Sequence, residues 1–252
     1  MDDYAKIFNA RGHFYNEAVI ECPLASESER QAVIERLHLR PGQRVGDAPA
    51  GGGYLADGIR QWHGSRIPTV CIEPASRFAA GINRDHEIVV APLHQTGLAS
   101  ASLDAIASLA GLHHVDDRDA VYREWKRLLV AQGRLVVADV QAETGTAEFL
   151  NGFVNTHTPG GHDGNFFQEH ELTERLTACG FENVHEELVN VPWHFVDIQQ
   201  MVRFSRQLFA IQSAAPDAVL ASLRETVGTD EQASSGTSLR WQLRIATANN
   251  SI

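Results

Sequence analysis

The chain has 252 residues, 43% of them apolar and 21% charged, which suits one large soluble domain or one domain with an added lid. A formal net charge of −11 argues against a nucleic-acid backbone or an anionic membrane surface as partner, because both attract basic patches. Cys22, Cys71 and Cys179 lie far apart with no CxxC pair, no apolar run approaches the ~18 residues of a membrane span, and MDDYAKIFNARGH lacks an apolar leader core, so the expectation is a cytoplasmic protein.

Residues 1–40 read as a helical cap, in which SESERQAVIERLHL is an amphipathic helix opened by a serine. Strands and helices then alternate. RVGDA (44–48) is predicted as a strand and GGYLADGIRQWH as a helix; TVCIE (69–73) is a strand and ASRFAAGIN a helix. EIVVA (87–91) and LDAIASLA (103–110) are the third and fourth strands, DRDAVYREWKRLLV (117–130) is a helix and GRLVVADV (133–140) the fifth strand. This rhythm predicts an α/β fold with a mostly parallel sheet covered on both faces. After Val140 the stretch to Phe167 is Gly- and His-rich and irregular; EHELTERLTACGF reads as a helix and NVHEELVNV as a strand. Two further helices are predicted in DIQQMVRFSRQLFAI and PDAVLASLRETVG, before a last strand, SLRWQLRIATA (238–248), that pairs antiparallel with its predecessor. The division expected is a cap over 1–40 and a ligand-binding domain over 41–252, with lid insertions at about 141–170 and 196–230.

The turn after the first strand fits G-x-G-x-x-A through Gly51, Gly53 and Ala56, and Glu73 closes the next strand 20 residues past Gly53. Glycine is needed where a Cβ would hold the backbone off a ligand, and an acid at the following strand end can accept from both ribose hydroxyls. Asp47 separates two ligand classes. A dinucleotide would set its pyrophosphate against this carboxylate, whereas S-adenosyl-L-methionine offers an ammonium and a sulfonium that an acid complements. A helix-capping role is the plainer reading of Asp47.

VGDAPAGGGYLA, VCIEPASRF and LDAIASLAGLHHVDDRDAVYREWKRLLVAQGRLVVADV together resemble the class I S-adenosylmethionine-dependent methyltransferases over roughly residues 40–140. The resemblance implies a Rossmann-like seven-stranded sheet with an antiparallel last strand. It implies cofactor contacts from Asp47, Ala48, Gly51, Gly53, Glu73, Pro74, Leu93, His94 and Leu109. Two departures stand out. Pro49 occupies the usual first glycine, stiffening the turn, and APLHQTG has Pro92 in place of the family's adenine-binding acid, which shifts adenine recognition to Leu93 and His94.

Methyl transfer from a sulfonium needs alignment and exclusion of water, with a base for nitrogen or oxygen nucleophiles. His113 and His114 follow the fourth strand at the ligand edge, one facing the cleft and the other packing on a helix; with Tyr15 they are the candidate catalytic residues. Asp116 and Asp117 read as caps of the next helix. NTHTPGGHDGNFF (155–167) reads as a glycine-loosened loop over the pocket, with His157 and His162 available to substrate; no metal-ligand spacing is present, so no metal is expected. Tyr4, Phe8, Phe14 and Tyr15 suit a prelude that closes over the cofactor, and Trp193, Phe195 and Phe204 an aromatic wall or plain core. The expectation is a methyltransferase of small-molecule biosynthesis, monomer or homodimer, acting on a small-molecule substrate. Alternatives are a cyclising enzyme that consumes S-adenosylmethionine without methylating, and a non-catalytic binding subunit. A nicotinamide dehydrogenase is disfavoured by Asp47.

Overall fold

The computed structural model describes residues 3–232 and 236–251. Ten strands run in chain order: β1 Val45–Asp47, β2 Thr69–Ile72, β3 Glu87–Val89, β4 Leu103–Leu109, β5 Leu129–Asp139, β6 Phe181–Asn190, β7 Trp193–Phe195, β8 Thr229–Gln232, β9 Gly236–Leu239 and β10 Gln242–Asn250. Seven form one sheet in the order β3-β2-β1-β4-β5-β10-β6. Strands β1 to β5 are parallel, and β10 lies antiparallel between β5 and β6. This is the Rossmann-like sheet expected from the alternating pattern. β1, β2 and most of β4 and β5 are buried, as strands covered on both faces must be.

The strand order reverses at β1, which pairs with β2 on one side and β4 on the other. Ligand crevices of open α/β sheets lie beyond the carboxyl ends of the strands at such a point. Here those ends carry Asp47 on β1 and Leu109 on β4.

The helices are α1 Asp3–Glu21, α2 Glu27–Leu37, α3 Tyr54–His63, α4 Ser76–Ala79, α5 Arg118–Leu128, α6 Gly145–Glu148, α7 Asn155–His157, α8 Glu171–Ala178, α9 Ile198–Leu208 and α10 Pro216–Ser222. Asp117 caps α5, its Oδ1 accepting from the Ala120 N–H at 3.0 Å. Ser26 does not cap α2; its hydroxyl donates to the Tyr54 hydroxyl at 3.1 Å instead. α1 packs against α4 and α9. Tyr4, Phe8, Arg11 and Tyr15 recur on α1 at the spacing of one helix face, and that face looks onto the strand ends.

The structure departs from the sequence pattern after β5. The stretch read as an irregular loop is helical from Gly145 to His157, with π-helical turns over Phe149–Val154 between α6 and α7. Gly145 and Gly152 disfavour helix, while tertiary packing of Phe149, Leu150 and Val154 enforces it. The predicted last strand is two strands. β9 ends at Leu239 and joins β7 and β8 in a separate three-stranded antiparallel sheet, and β10 restarts at Gln242 in the main sheet. Trp241, in the break between them, stacks on Trp193 with ring centroids 4.1 Å apart.

Candidate functional site

A cavity opens at the switch point, with about 1110 Å³ of open space counted to its mouth. Its floor is the strand ends and turns, from Asp47, Pro49, Ala50 and Gly51 to Leu109, Ala110, Gly111, His113, His114 and Val140. α1 roofs it with Tyr4, Phe8, Arg11 and Tyr15. Leu150 and Val154 close one side, and Trp193, Leu208, Phe209 and Trp241 form an aromatic wall. Of the aromatic wall read from sequence, Trp193 lines the cavity while Phe195 and Phe204 are buried in the core; Phe209 and Trp241 take their places.

One end of the cavity is acidic. Asp47 is buried and its Oδ2 accepts from the Ala56 N–H at 3.1 Å, so it both lines the cavity and holds the first turn of α3. Burial pushes its carboxyl up to about 8 although that bond opposes the shift. Glu73 is buried behind the turn. Its Oε2 accepts from the Gly51 N–H at 2.8 Å and the Tyr4 hydroxyl at 3.0 Å, and its Oε1 accepts from the Ala75 N–H at 2.8 Å. Burial raises it to about 7. Glu29 of α2 also faces this space; it accepts from the Trp193 indole N–H at 2.8 Å and is raised by burial to about 8.

The glycines act on different partners. Gly51 has φ +55°, and a Cβ there would meet the Phe78 ring 2.9 Å away, so the space it protects belongs to Phe78. Gly53 has φ +89° at the start of α3 and does not line the cavity; its requirement is the turn itself. Phe78 is in turn stacked on Phe8 at 5.1 Å and met edge-on by Tyr15 at 5.5 Å.

The other end is built from imidazoles. Asp139, at the end of β5, is buried, and its carboxylate accepts from the N–H groups of Leu112, His113 and Val140. It also faces His113 Nδ1 at 2.6 Å. Burial alone would raise its carboxyl, but His113, the Val140 N–H and Arg118 hold it below the usual range. His162 reaches the same place from the chain beyond α7. Asn151, within the π-helical turns, clamps that chain: its Oδ1 accepts from Gly164 N–H at 2.8 Å, its Nδ2 donates to Gly164 O at 2.8 Å, and Oδ1 lies 3.1 Å from His162 Nδ1. Such turns often mark functional positions. The segment is well tied down. The Asn165 N–H donates to His113 O at 2.8 Å, and buried Arg118 donates to Leu112 O and Asn165 O while lying over the Phe167 ring. It is a built wall rather than the loose loop its glycines suggested.

Of the residues singled out from sequence, Asp47, Gly51, Leu109, His113, His114 and Tyr15 line the cavity. Both histidines face it, where one was expected to pack away on a helix. Ala48, Gly53, Glu73, Pro74, Leu93 and His94 do not line it; Leu93 is buried and His94 exposed. Arg11, Glu29 and Trp241 line it and were not anticipated. The 4, 8, 11, 15 spacing on α1 was the available signal for Arg11.

Comparison with known proteins bears on this geometry. A methyltransferase-domain family matches residues 47–137, the span from Asp47 through most of β5. The demethylmenaquinone methyltransferase of Corynebacterium glutamicum strain R is 31% identical over 110 residues, 44% of this chain and 47% of that protein. An O-methyltransferase of Pyrenophora dematioidea is 28% identical over 195 residues, covering 71% of this chain and 66% of that one. The chain thus spans about half the length of the first of these relatives. Among solved structures, Haemonchus contortus phosphoethanolamine N-methyltransferase 2 in complex with S-adenosyl-L-methionine superposes with a TM-score of 0.68 at 12% identity, covering 98% of this chain and 59% of that one. The chain therefore carries a methyltransferase-domain match over its first five strands and has the Rossmann-like methyltransferase fold. Among the described residues no helix is long and apolar enough to cross a membrane.

Proposed function

We propose that this methyltransferase-fold protein transfers the methyl group of S-adenosylmethionine to a small, largely apolar acceptor that carries one ionisable O–H or N–H. The observation that supports this most is the polarity of the cavity. A buried acid beside a glycine turn lies at one end, hydrogen-bonded imidazoles at the other, and an aromatic wall between them.

The residues fit the cofactor at its amino-acid end. Asp47 is a cavity-lining carboxyl beside Gly51, and a cationic amine would favour its ionised form. At the ribose end the fit requires a change, because the Glu73 carboxyl now accepts from the Tyr4 hydroxyl. Tyr4 would give up this bond for Glu73 to accept from a ribose. The cofactor, when bound, supplies a methyl group already activated on a sulfonium. The chain's own residues do the rest. Trp193, Trp241 and Phe209 offer a flat apolar surface to the acceptor. α1 and the α7–β6 segment exclude water. An ionised Asp139 accepts from His113 Nδ1–H, which leaves Nε2 with the lone pair that takes the acceptor's proton.

The product identifies the reaction. The protein is incubated with S-adenosylmethionine alone and then with pooled small metabolites, and nucleosides are separated by chromatography. S-adenosylhomocysteine formed only with the pool is expected. Methylthioadenosine released without any acceptor would overturn methyl transfer in favour of cyclisation, and saturable binding with no product would overturn it in favour of a binding subunit.

A further inference from the structure

The imidazole end carries more than one base needs. One ring nitrogen from each of His113, His114 and His162 lies within 4.8 Å of the other two. The ring centroids are 4.2 Å apart for His113–His114, 4.9 Å for His114–His162 and 5.5 Å for His113–His162. His113 and His114 come from the turn after β4, and His162 from the segment after α7, nearly fifty residues later. No local spacing of metal-ligand type connects them; the fold brings them together.

Two of the three rings have their tautomers set from behind. Asp139 Oδ1 already accepts from the Val140 N–H, so it meets His113 as an acceptor and the ring donates through Nδ1–H. Asn151 Oδ1 is identified as an oxygen because it accepts from the Gly164 N–H, so His162 also donates through Nδ1–H. In both rings Nε2 is the nitrogen left with a lone pair. Ring N–H groups held by a carboxylate or an amide oxygen are the outer partners that metal-ligating histidines ordinarily have. Neither ring nitrogen of His114 has a hydrogen-bond partner among the described residues, although the ring is mostly enclosed beside Phe8.

We propose that His113, His114 and His162 bind one divalent first-row transition ion, with an open coordination position facing the cavity. Three imidazoles and no thiolate suit zinc, iron, nickel or copper rather than magnesium or calcium, which take oxygen ligands. Three protein ligands with a fourth position open is the arrangement of catalytic zinc sites. Metal–nitrogen bonds of about 2.0–2.1 Å in a tetrahedron set the nitrogens about 3.3 Å apart. The present spread of up to 4.8 Å is wider, so an ion would draw the rings together, His114 foremost because its ring has no hydrogen bond among the described residues. Arg11 lines the cavity with these three rings and donates to Gly161 O, one residue before His162, at 2.7 Å. With that guanidinium lining the same cavity beside a dication, the open position takes an anion. On the methyl-transfer reading, that anion is the acceptor's oxygen, which loses its proton to solvent on binding; with the ion in place His113 Nε2 is a ligand and not the base, and the acceptor narrows to phenols, enols and carboxylates. Metal binding itself does not rest on that reading.

The test uses the untagged protein stripped with chelator, and Co²⁺ alone, without cofactor or acceptor. One ion per chain is expected, with visible absorption of four-coordinate intensity that Zn²⁺ displaces. His114→Gln, whose ring anchors no hydrogen bond in the fold, should weaken Co²⁺ binding at least a hundred-fold, with circular dichroism unchanged. Asn151→Ala should weaken it about ten- to a hundred-fold through the freed His162 ring. His185→Gln, on β6, should bind as the wild type does. Absence of a stoichiometric Co²⁺ site, or one that survives His114→Gln and His162→Gln undiminished, overturns the proposal. Because no turnover is measured, either result leaves the methyl-transfer reading to its own product test.

Discussion

The two ends of the cavity are made of ionisable groups held in opposite ways. At the β1–β2 end the carboxyls of Asp47 and Glu73 are raised by burial and partly compensated by backbone N–H groups. At the β4–β5 end Asp139 is held low by its partners, and burial depresses His162 as well. The first end is a set of acids waiting for a cation; the second is a set of lone pairs waiting for a proton or an ion. The difference teaches that burial alone does not decide charge. Asp139 is as buried as Asp47, but it has His113 and Arg118 to face and Asp47 has no such partner.

Variants at the two ends should therefore separate chemistry from binding. The largest effect is expected at the imidazole end. His113→Ala should lower kcat by roughly a hundred- to ten-thousand-fold, with cofactor affinity by calorimetry little altered. A mutant that loses cofactor affinity and keeps kcat would exchange the roles of the two ends.

At the acid end, Asp47→Asn keeps the shape and the capacity to accept from the Ala56 N–H but cannot ionise. Loss of a charged contact worth about 1.5–3 kcal/mol should weaken S-adenosylmethionine binding about ten- to a hundred-fold. Equal affinity in the variant would remove Asp47 from the cation's site.

Tyr4→Phe sharpens the comparison from the other side. It releases Glu73 from the α1 hydroxyl, a bond worth about 0.5–1.5 kcal/mol, so cofactor affinity should rise about two- to ten-fold. A fall in affinity on removing the hydroxyl would mean that Tyr4 assists the ligand rather than competes with it.

The smallest effects are in pH dependence, and their signs are opposite at the two ends. Asp47 and Glu73 have folded pKa values raised above the unfolded ones. Their contribution to stability is full below the ordinary carboxylate range and is lost as pH rises through about 7 to 8. His162 is depressed. Its contribution is full above the ordinary histidine value and is lost as pH falls toward about 3. Melting temperatures across this range should thus decline on both sides. Asp47→Asn should flatten only the alkaline side and His162→Gln only the acid side. Cofactor affinity should rise with pH toward about 8 in the wild type, because binding needs the Asp47 carboxylate, and this rise should shrink in Asp47→Asn.

The legibility of the site follows the same division. The acid end lies within one strand–turn–helix, so Asp47, Gly51 and the following strand with Glu73 could be read in a row. What could not be read is that Tyr4, on a helix some seventy residues earlier, places its hydroxyl on Glu73. At the imidazole end, His113 and His114 were visible beside β4. Their convergence with His162 was not, because it depends on a helix that the glycine content argues against and on Asn151 within its π-helical turns.

The sequence by itself determined the parallel order of the first five strands, the antiparallel last pairing and the acid beside the glycine turn. Each is written in local terms: apolar periodicity, turn residues and a charge a few positions away. Only the tertiary structure decided the break at Arg240–Trp241, the small sheet that follows from it, the α1 roof and the three-imidazole cluster. These depend on contacts between residues tens of positions apart. There the stacking of Trp241 on Trp193 and the packing of Phe149 and Leu150 outweigh local propensities of at most about 1 kcal/mol per residue.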